Sequence, residues 1–219
     1  MFVSILGDSI STYPDFVPAA YSVFYQGENL DLHQMHSVYD TWWAKVNQFL
    51  KAYLCVNDSY SGSAVAGLRF PAACSQERIN ALSSPANTPD IILIYLGVND
   101  FARGYPITGH DTLHFEYAYE AMLQQIKSRY PRSWIFCGTL MEGYIPGQPD
   151  FRFSSFQADA PLDAYNDAIR RACRKQNCQL ADLAAQQVAY ETLDGVHPTK
   201  KGHAAIAQCW IHCLSRNPN

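Results

Sequence analysis

An α/β protein built on one five-stranded parallel sheet is what this sequence predicts, and three observations predict it. Five short apolar, β-rich runs recur along the chain: Phe2–Leu6, Tyr53–Val56, Ile91–Leu96, Trp134–Cys137 and Gln179–Leu183. Runs of that length without polar alternation suit strands buried on both faces, as parallel strands are. Helical patterns separate them, so strand and helix alternate from end to end with no repeat and no linker, as right-handed crossovers over one sheet require. With 48% hydrophobic residues among 219, the chain can fill the core of one domain spanning residues 1–219. Periodicity does not encode strand order; for five strands the flavodoxin-like order 2-1-3-4-5 is expected.

The first run ends in Gly7-Asp8-Ser9. That tripeptide suits a strand-ending turn with Asp8 as a brace, or a reactive hydroxyl held at a strand tip. A long connection comes next at about 10–40, carrying Tyr13, Phe16, Tyr21, Phe24 and Tyr25. Thr41–Ala52 then places Trp42, Val46, Phe49 and Leu50 at helical spacing. The second run leads into a loop, Asn57-Asp58-Ser59-Tyr60-Ser61-Gly62-Ser63, and Ser75–Leu82 is a short helix candidate.

After the third run comes Gly97-Val98-Asn99-Asp100, then a long helix over His114–Arg129, stopped by Tyr130-Pro131. The fourth run opens the second long connection, about 138–160, with Tyr144, Pro146, Phe151, Phe153 and Phe156. Leu162–Lys175 has the periodic face Leu162, Tyr165, Ile169 and Cys173. The fifth run, at whose end Asp182 is expected to bond neighbouring backbone, leads to Asp194-Gly195-Val196-His197-Pro198. The last helix is expected to begin near Pro198 and reach about Leu214. Both long connections are aromatic and poor in charge, so they are expected to be ordered, their rings either plugging a hydrophobic face, as aromatic stripes usually do, or lining a substrate cleft.

Composition narrows the function. Sixteen Lys and Arg against 20 Asp and Glu leave a formal charge of −4 with no basic block, which argues against a nucleic-acid partner. No apolar run approaches the roughly 18 residues of a membrane span. Met1–Leu6 is too short for a signal-peptide core, so a cytoplasmic protein is expected. Seven cysteines without a CxxC pair favour reduced thiols. Cys209 and Cys213 flank His212, but with Ile206, Trp210 and Leu214 they form a helical stripe that reads as core. His33, His36, His110 and His114 lie in or beside loops, His203 on the last helix reads as a packing or surface residue, and no metal site is expected.

In an open parallel sheet, ligands bind outside the carboxyl ends of the strands. Polar groups of matching chemistry gather there. A Ser hydroxyl becomes nucleophilic when a neighbouring base takes its proton. Histidine suits that task near neutral pH, and a carboxylate fixes its tautomer. Charge on a carbonyl oxygen needs preorganised donors such as a backbone N–H in a glycine turn or an Asn amide. Ser9 as nucleophile, His197 as base and Asp194 as orienter complete such a set, with the Ser9 N–H, Gly62 N–H and Asn99 Nδ2 as oxyanion donors. Asp8 and Asp100 are read as supports.

Gly7-Asp8-Ser9-Ile10, Gly62, Gly97-Val98-Asn99-Asp100 and Asp194-x-x-His197-Pro198 resemble, in order, the blocks of the SGNH (GDSL-type) hydrolase family. Tyr165–Arg170 resembles the helix that precedes that family's last strand. Ile10 stands where the motif names Leu, and the 10–40 connection is longer than in minimal members. The resemblance implies a flavodoxin-like three-layer α/β/α sandwich and ester hydrolysis through an acyl-enzyme without a cofactor. It also implies oxyanion donors at Ser9, Gly62 and Asn99. The substrate expected is a short-chain acyl (acetyl) ester of carbohydrate. The rivals are a lipolytic esterase or thioesterase for longer chains, and a catalytically silent carbohydrate-binding protein on the same fold.

Overall fold

A computed structural model describes residues 1–151, 153 and 160–216. Five parallel strands form the sheet: β1 (Phe2–Gly7), β2 (Tyr53–Ser59), β3 (Ile91–Tyr95), β4 (Trp134–Gly138) and β6 (Gln179–Ala181), in the order β2-β1-β3-β4-β6. That is the expected 2-1-3-4-5 order. A separate two-stranded parallel ribbon pairs β5 (Gly143–Tyr144) with β7 (Tyr190–Glu191). All five residues of β3 are buried, as a central strand covered on both faces must be.

Among the described residues seven α-helices join or follow the strands: α1 (Glu28–Leu32), α2 (Trp42–Leu50), α3 (Gln76–Asn80), α4 (Val98–Ala102), α5 (Phe115–Arg129), α6 (Leu162–Gln176) and α7 (Lys200–Ser215). Helix α2 packs on α7, while α5 packs on α3 and α6, which gives the three-layer α/β/α arrangement. Between α2 and α7 the Trp42 and Trp210 rings stack at 5.3 Å, with Tyr95 edge-on to Trp42. The apolar stripe predicted for the last helix is core: Ile206, Cys209, Trp210 and Leu214 are buried, with Cys213 at its margin.

Four details differ from the sequence reading. β2 continues through Asn57, Asp58 and Ser59, because these polar side chains find partners inside: Asn57 Nδ2 donates to the Ser11 carbonyl and Ser59 Oγ to Asn57 Oδ1. The last helix starts at Lys200, capped by Thr199, whose Oγ1 accepts from the Gly202 N–H; Pro198 instead bridges back to Thr192. The two long connections contain structure of their own, α1 in the first and β5 in the second. The fifth strand ends at Ala181, and Asp182 turns to side chains as well as backbone, accepting from Thr139 Oγ1 and, through both oxygens, from Arg170. Phe156 lies outside the described residues.

The register aligns the carboxyl ends that matter. Gly7 lies beside Ser59 on one side and Tyr95 on the other, so the segments leaving β1, β2 and β3 emerge together.

Candidate active site

Gly7 closes β1 without a side chain because none would fit: a Cβ there would sit 2.6 Å from Ser11 Cβ and from Ser59 Oγ. Close approach, rather than a left-handed turn, is what requires glycine here. Residues Ser9–Ser11 then form one 3-10 turn capped by Asp8, whose Oδ1 accepts from the Ile10 N–H at 3.0 Å. Behind the turn, Ser11 is gripped by both tryptophans of α2: Trp42 Nε1 donates to its Oγ and Trp43 Nε1 to its carbonyl. Thr12 Oγ1 donates to the Ser9 carbonyl and accepts from the Phe24 N–H. The turn carrying Ser9 is therefore bonded to β2, α2 and the first long loop.

Ser9, His197 and Asp194 come together. Ser9 Oγ lies 2.9 Å from His197 Nε2, and His197 Nδ1 lies 2.6 Å from Asp194 Oδ2. The other carboxylate oxygen of Asp194 accepts from the Val196 and His197 N–H groups, so one side chain fixes both the ring and the backbone of the histidine. Partial burial pushes the Asp194 carboxyl up. The hydrogen bonds from the His197 ring and these two N–H groups outweigh it and hold the group well below the usual carboxylate range. An ionised Asp194 keeps the proton on Nδ1 and leaves Nε2 free to accept from Ser9.

The histidine turn is clamped on both flanks. Tyr25 Oη donates to the Pro198 carbonyl and Tyr190 Oη to the Val196 carbonyl. The Phe24 ring stacks on the imidazole with centroids 3.5 Å apart and planes 7° from parallel. One face of the base is thereby shielded from water.

Gly62 adopts φ +80°, a left-handed conformation that an L side chain resists. Its loop is held at every step. Arg103 Nη2 donates to the Gly62 carbonyl, Asn99 Nδ2 to the Ser63 carbonyl, and Asp100 accepts from the Val65 and Ala66 N–H groups. Among the described residues no acceptor takes the Ser9 or Gly62 N–H, and Asn99 Nδ2 has a second proton beyond the one given to Ser63. Asp8 and Asp100 thus both bond backbone N–H groups of the turns at this edge, at Ile10 and at Val65 and Ala66.

Arg78 was not legible as part of this site, yet it joins its two halves. It is fully buried, and all five of its N–H donors are used: on Asp58 Oδ2 at 2.7 Å, the Asp58 carbonyl, the Gly7 carbonyl, Ser63 Oγ and the Pro71 carbonyl. The end of β1, the end of β2 and the Gly62 loop converge on one guanidinium. The available signal was a charge on the face of the predicted Ser75–Leu82 helix that Ile79 and Leu82 bury. His203 is buried, its Nδ1 accepting from the Trp42 N–H, a core role. Among the described residues no three His, Cys, Asp or Glu side chains converge as a metal-ligand set. No described helix is long and apolar enough to cross a membrane.

Burial pushes the Asp8 carboxyl up from 3.8 to about 7, against the lowering effect of the Ile10 N–H. A folded value above the unfolded one means that this group's contribution to stability is full below the unfolded pKa. It is lost as pH rises through the folded one. In Asp8→Asn that component is absent, so Tm measured between about pH 4 and about pH 8 should fall less steeply than in the parent. Parallel profiles for the two proteins would show that Asp8 does not titrate in this window.

A family model described as GDSL-like lipase/acylhydrolase matches residues 1–214. No curated protein matches the sequence. Among solved structures, one described as a GDSL-like lipase from Bacteroides ovatus superposes with a TM-score of 0.75 at 23% identity, covering 99% of this chain and 98% of the other. Another so described, from Bacteroides uniformis, gives 0.73 at 26%, covering 99% and 96%. A family two carbohydrate esterase from Clostridium thermocellum, solved in complex with cellohexaose, gives 0.60 at 17% identity, covering 98% of this chain and 63% of that one.

Proposed function

Because this chain belongs to the GDSL-like lipase/acylhydrolase family and is an ester-hydrolysing serine hydrolase, we propose that Ser9 is its nucleophile, His197 its general base and Asp194 the residue that orients the base. The observation that carries this reading is the unbroken hydrogen-bond chain from Ser9 Oγ through the imidazole to Asp194. Ser9 attacks the ester carbonyl as its proton passes to His197 Nε2. The oxyanion is received by the Ser9 and Gly62 N–H groups and the second Asn99 Nδ2 proton. The imidazolium, stabilised by Asp194, then protonates the leaving alcohol, and water repeats the sequence on the acyl-enzyme.

Asn99→Ala should lower kcat by about 10²–10³ with a smaller change in KM, since the amide acts on charge that develops only in the transition state. Steady-state kinetics on p-nitrophenyl acetate checks this; a purely KM effect would assign Asn99 to substrate binding instead.

The substrate proposed is a short-chain acyl ester, acetyl foremost, of a carbohydrate. Two features support it. One is that Phe151 lies against Gly195 of the histidine turn and helps line a recess of about 490 Å³ with Tyr144, Pro146 and Phe153. Flat rings at that position suit the apolar face of a sugar. The carbohydrate esterase of the same fold offers a precedent for such an alcohol. Turnover should fall as acyl length grows from acetyl to dodecanoyl, and acetylated sugars should be deacetylated. An optimum at long chains would identify a lipolytic enzyme or thioesterase; no turnover of any ester, with sugar binding retained, would identify a silent binding protein.

A further inference from the structure

Arg103 is a cation at the carboxyl edge of the sheet that the mechanism leaves unused. It follows α4, and its N–H donates to the Asn99 carbonyl at 3.1 Å, so the helical turn continues through it. Residues four apart on a helix stand one above the other on the same face. The two side chains accordingly grip consecutive carbonyls of one loop: Asn99 Nδ2 donates to Ser63 at 3.0 Å and Arg103 Nη2 to Gly62 at 2.8 Å. The guanidinium is thereby fixed beside the residue whose N–H is assigned to the oxyanion.

Its charge is not spent inside the protein. Arg78, Arg170 and Arg171 each pair with a carboxylate, whereas Arg103, which is exposed, forms no ion pair among the described residues. One of its five N–H donors serves Gly62, and no described residue takes another. The space before it is open: a Cβ built on Gly62 would meet Arg103 Nη2 at 3.4 Å and, outside the adjoining residues, no other atom within 4 Å. Asp100, the carboxylate nearest in sequence, turns inward to the Val65 and Ala66 N–H groups. Burial pushes its carboxyl up to about 7, so near neutral pH it sets only part of a charge against the guanidinium. Asp194, the ionised carboxylate of the site, is engaged by His197. The chain as a whole carries a formal charge of −4, so an anionic substrate gains nothing from the overall field and a preference for one is local.

The geometry points to Arg103 as a specificity-determining residue that favours esters bearing a carboxylate, an inference that rests on ester hydrolysis at Ser9 as proposed above. A planar guanidinium offers parallel N–H donors to the two oxygens of a carboxylate, and such charge-assisted bonds are roughly twice as strong as neutral ones. With the ester carbonyl oxygen held by the Ser9 and Gly62 N–H groups, a carboxylate a few bonds from the carbonyl carbon comes within reach of the free donors. That carboxylate belongs either to the acyl half, as in a half-ester of a dicarboxylic acid, or to an acidic sugar on the alcohol half. A residue that only propped the Gly62 loop would act on every ester alike; a carboxylate-binding residue acts on the ratio between a charged ester and its neutral counterpart.

The test measures kcat/KM of the full chain on two matched pairs. One is p-nitrophenyl butyrate against p-nitrophenyl hydrogen succinate; the other is an acetylated methyl glucoside against the methyl glucuronoside acetylated at the same position. The parent protein should prefer the anionic member of one pair by at least about tenfold, and that pair identifies the half of the ester that carries the carboxylate. The preference should shrink as ionic strength rises from about 0.01 M to about 1 M. Arg103→Gln, which keeps a donor for the Gly62 carbonyl but no charge, should bring the ratio to within about threefold of unity, and Arg103→Lys should keep part of the preference. No preference for the anion in either pair, or a preference that survives in Arg103→Gln, would overturn the inference. No turnover of any of the four esters would instead remove ester hydrolysis at Ser9, and the inference with it.

Discussion

Ser9→Ala should lose about 10³–10⁶ of the kcat for p-nitrophenyl acetate while keeping its Tm within about 1 °C or raising it. The loss is large because, in the mechanism proposed, the hydroxyl is the group that forms the bond to the acyl carbon. His197 would then activate water only poorly, since the oxygen 2.9 Å from its Nε2 is gone. The fold should not notice. Among the described residues Ser9 Oγ bonds only to the imidazole, whereas the turn is held through the Ser9 carbonyl, the Asp8 carboxyl and Ser11. Turnover by Ser9→Ala within tenfold of the parent, on a protein purified free of host esterases, would remove Ser9 from the mechanism.

Arg78→Met should be the most damaging substitution outside the triad, costing about 3–5 kcal/mol of stability. Removing the guanidinium leaves the Asp58 carboxylate buried with its counter-charge gone, and it strips partners from the Gly7, Asp58 and Pro71 carbonyls together. An effect on catalysis should accompany it. At a temperature where the variant remains folded, kcat should fall while KM changes little, because the Ser9 turn and the Gly62 loop lose their shared tether. Arg78→Lys should recover part of the stability, since an ammonium can pair with Asp58 but cannot span five acceptors. Urea unfolding combined with kinetics separates the two effects. A variant of parental stability would contradict the role assigned to Arg78.

Much of this architecture was legible because it rests on local signals. Apolar runs without alternation marked the five strands, and the polar residues just beyond the runs marked the sheet edge at which the proposed triad comes together. Ser9, Asn99, Asp194 and His197 sit within a few residues of a strand end or a helix start, where spacing is informative. The features that escaped notice depend on partners remote in sequence. Asn57, Asp58 and Ser59 look like loop residues until Ser11 and Arg78 are brought against them by the parallel pairing of β1 and β2. Arg78 sits beside Glu77 on a short helix, and only the tertiary fold reveals that its five donors are used. Phe24 was one of several aromatics in the two long loops; its stacking on His197 is fixed by the Thr12 and Asn29 hydrogen bonds to its backbone.

The central claim is that Ser9, activated by His197, carries the acyl group. The most direct test is covalent labelling with a fluorophosphonate, then digestion and mass spectrometry. The account predicts one adduct, on the peptide that contains Ser9, formed at a rate that falls by about 10³ or more in His197→Ala. An adduct on another residue, or labelling of Ser9 that is indifferent to the loss of His197, would contradict it.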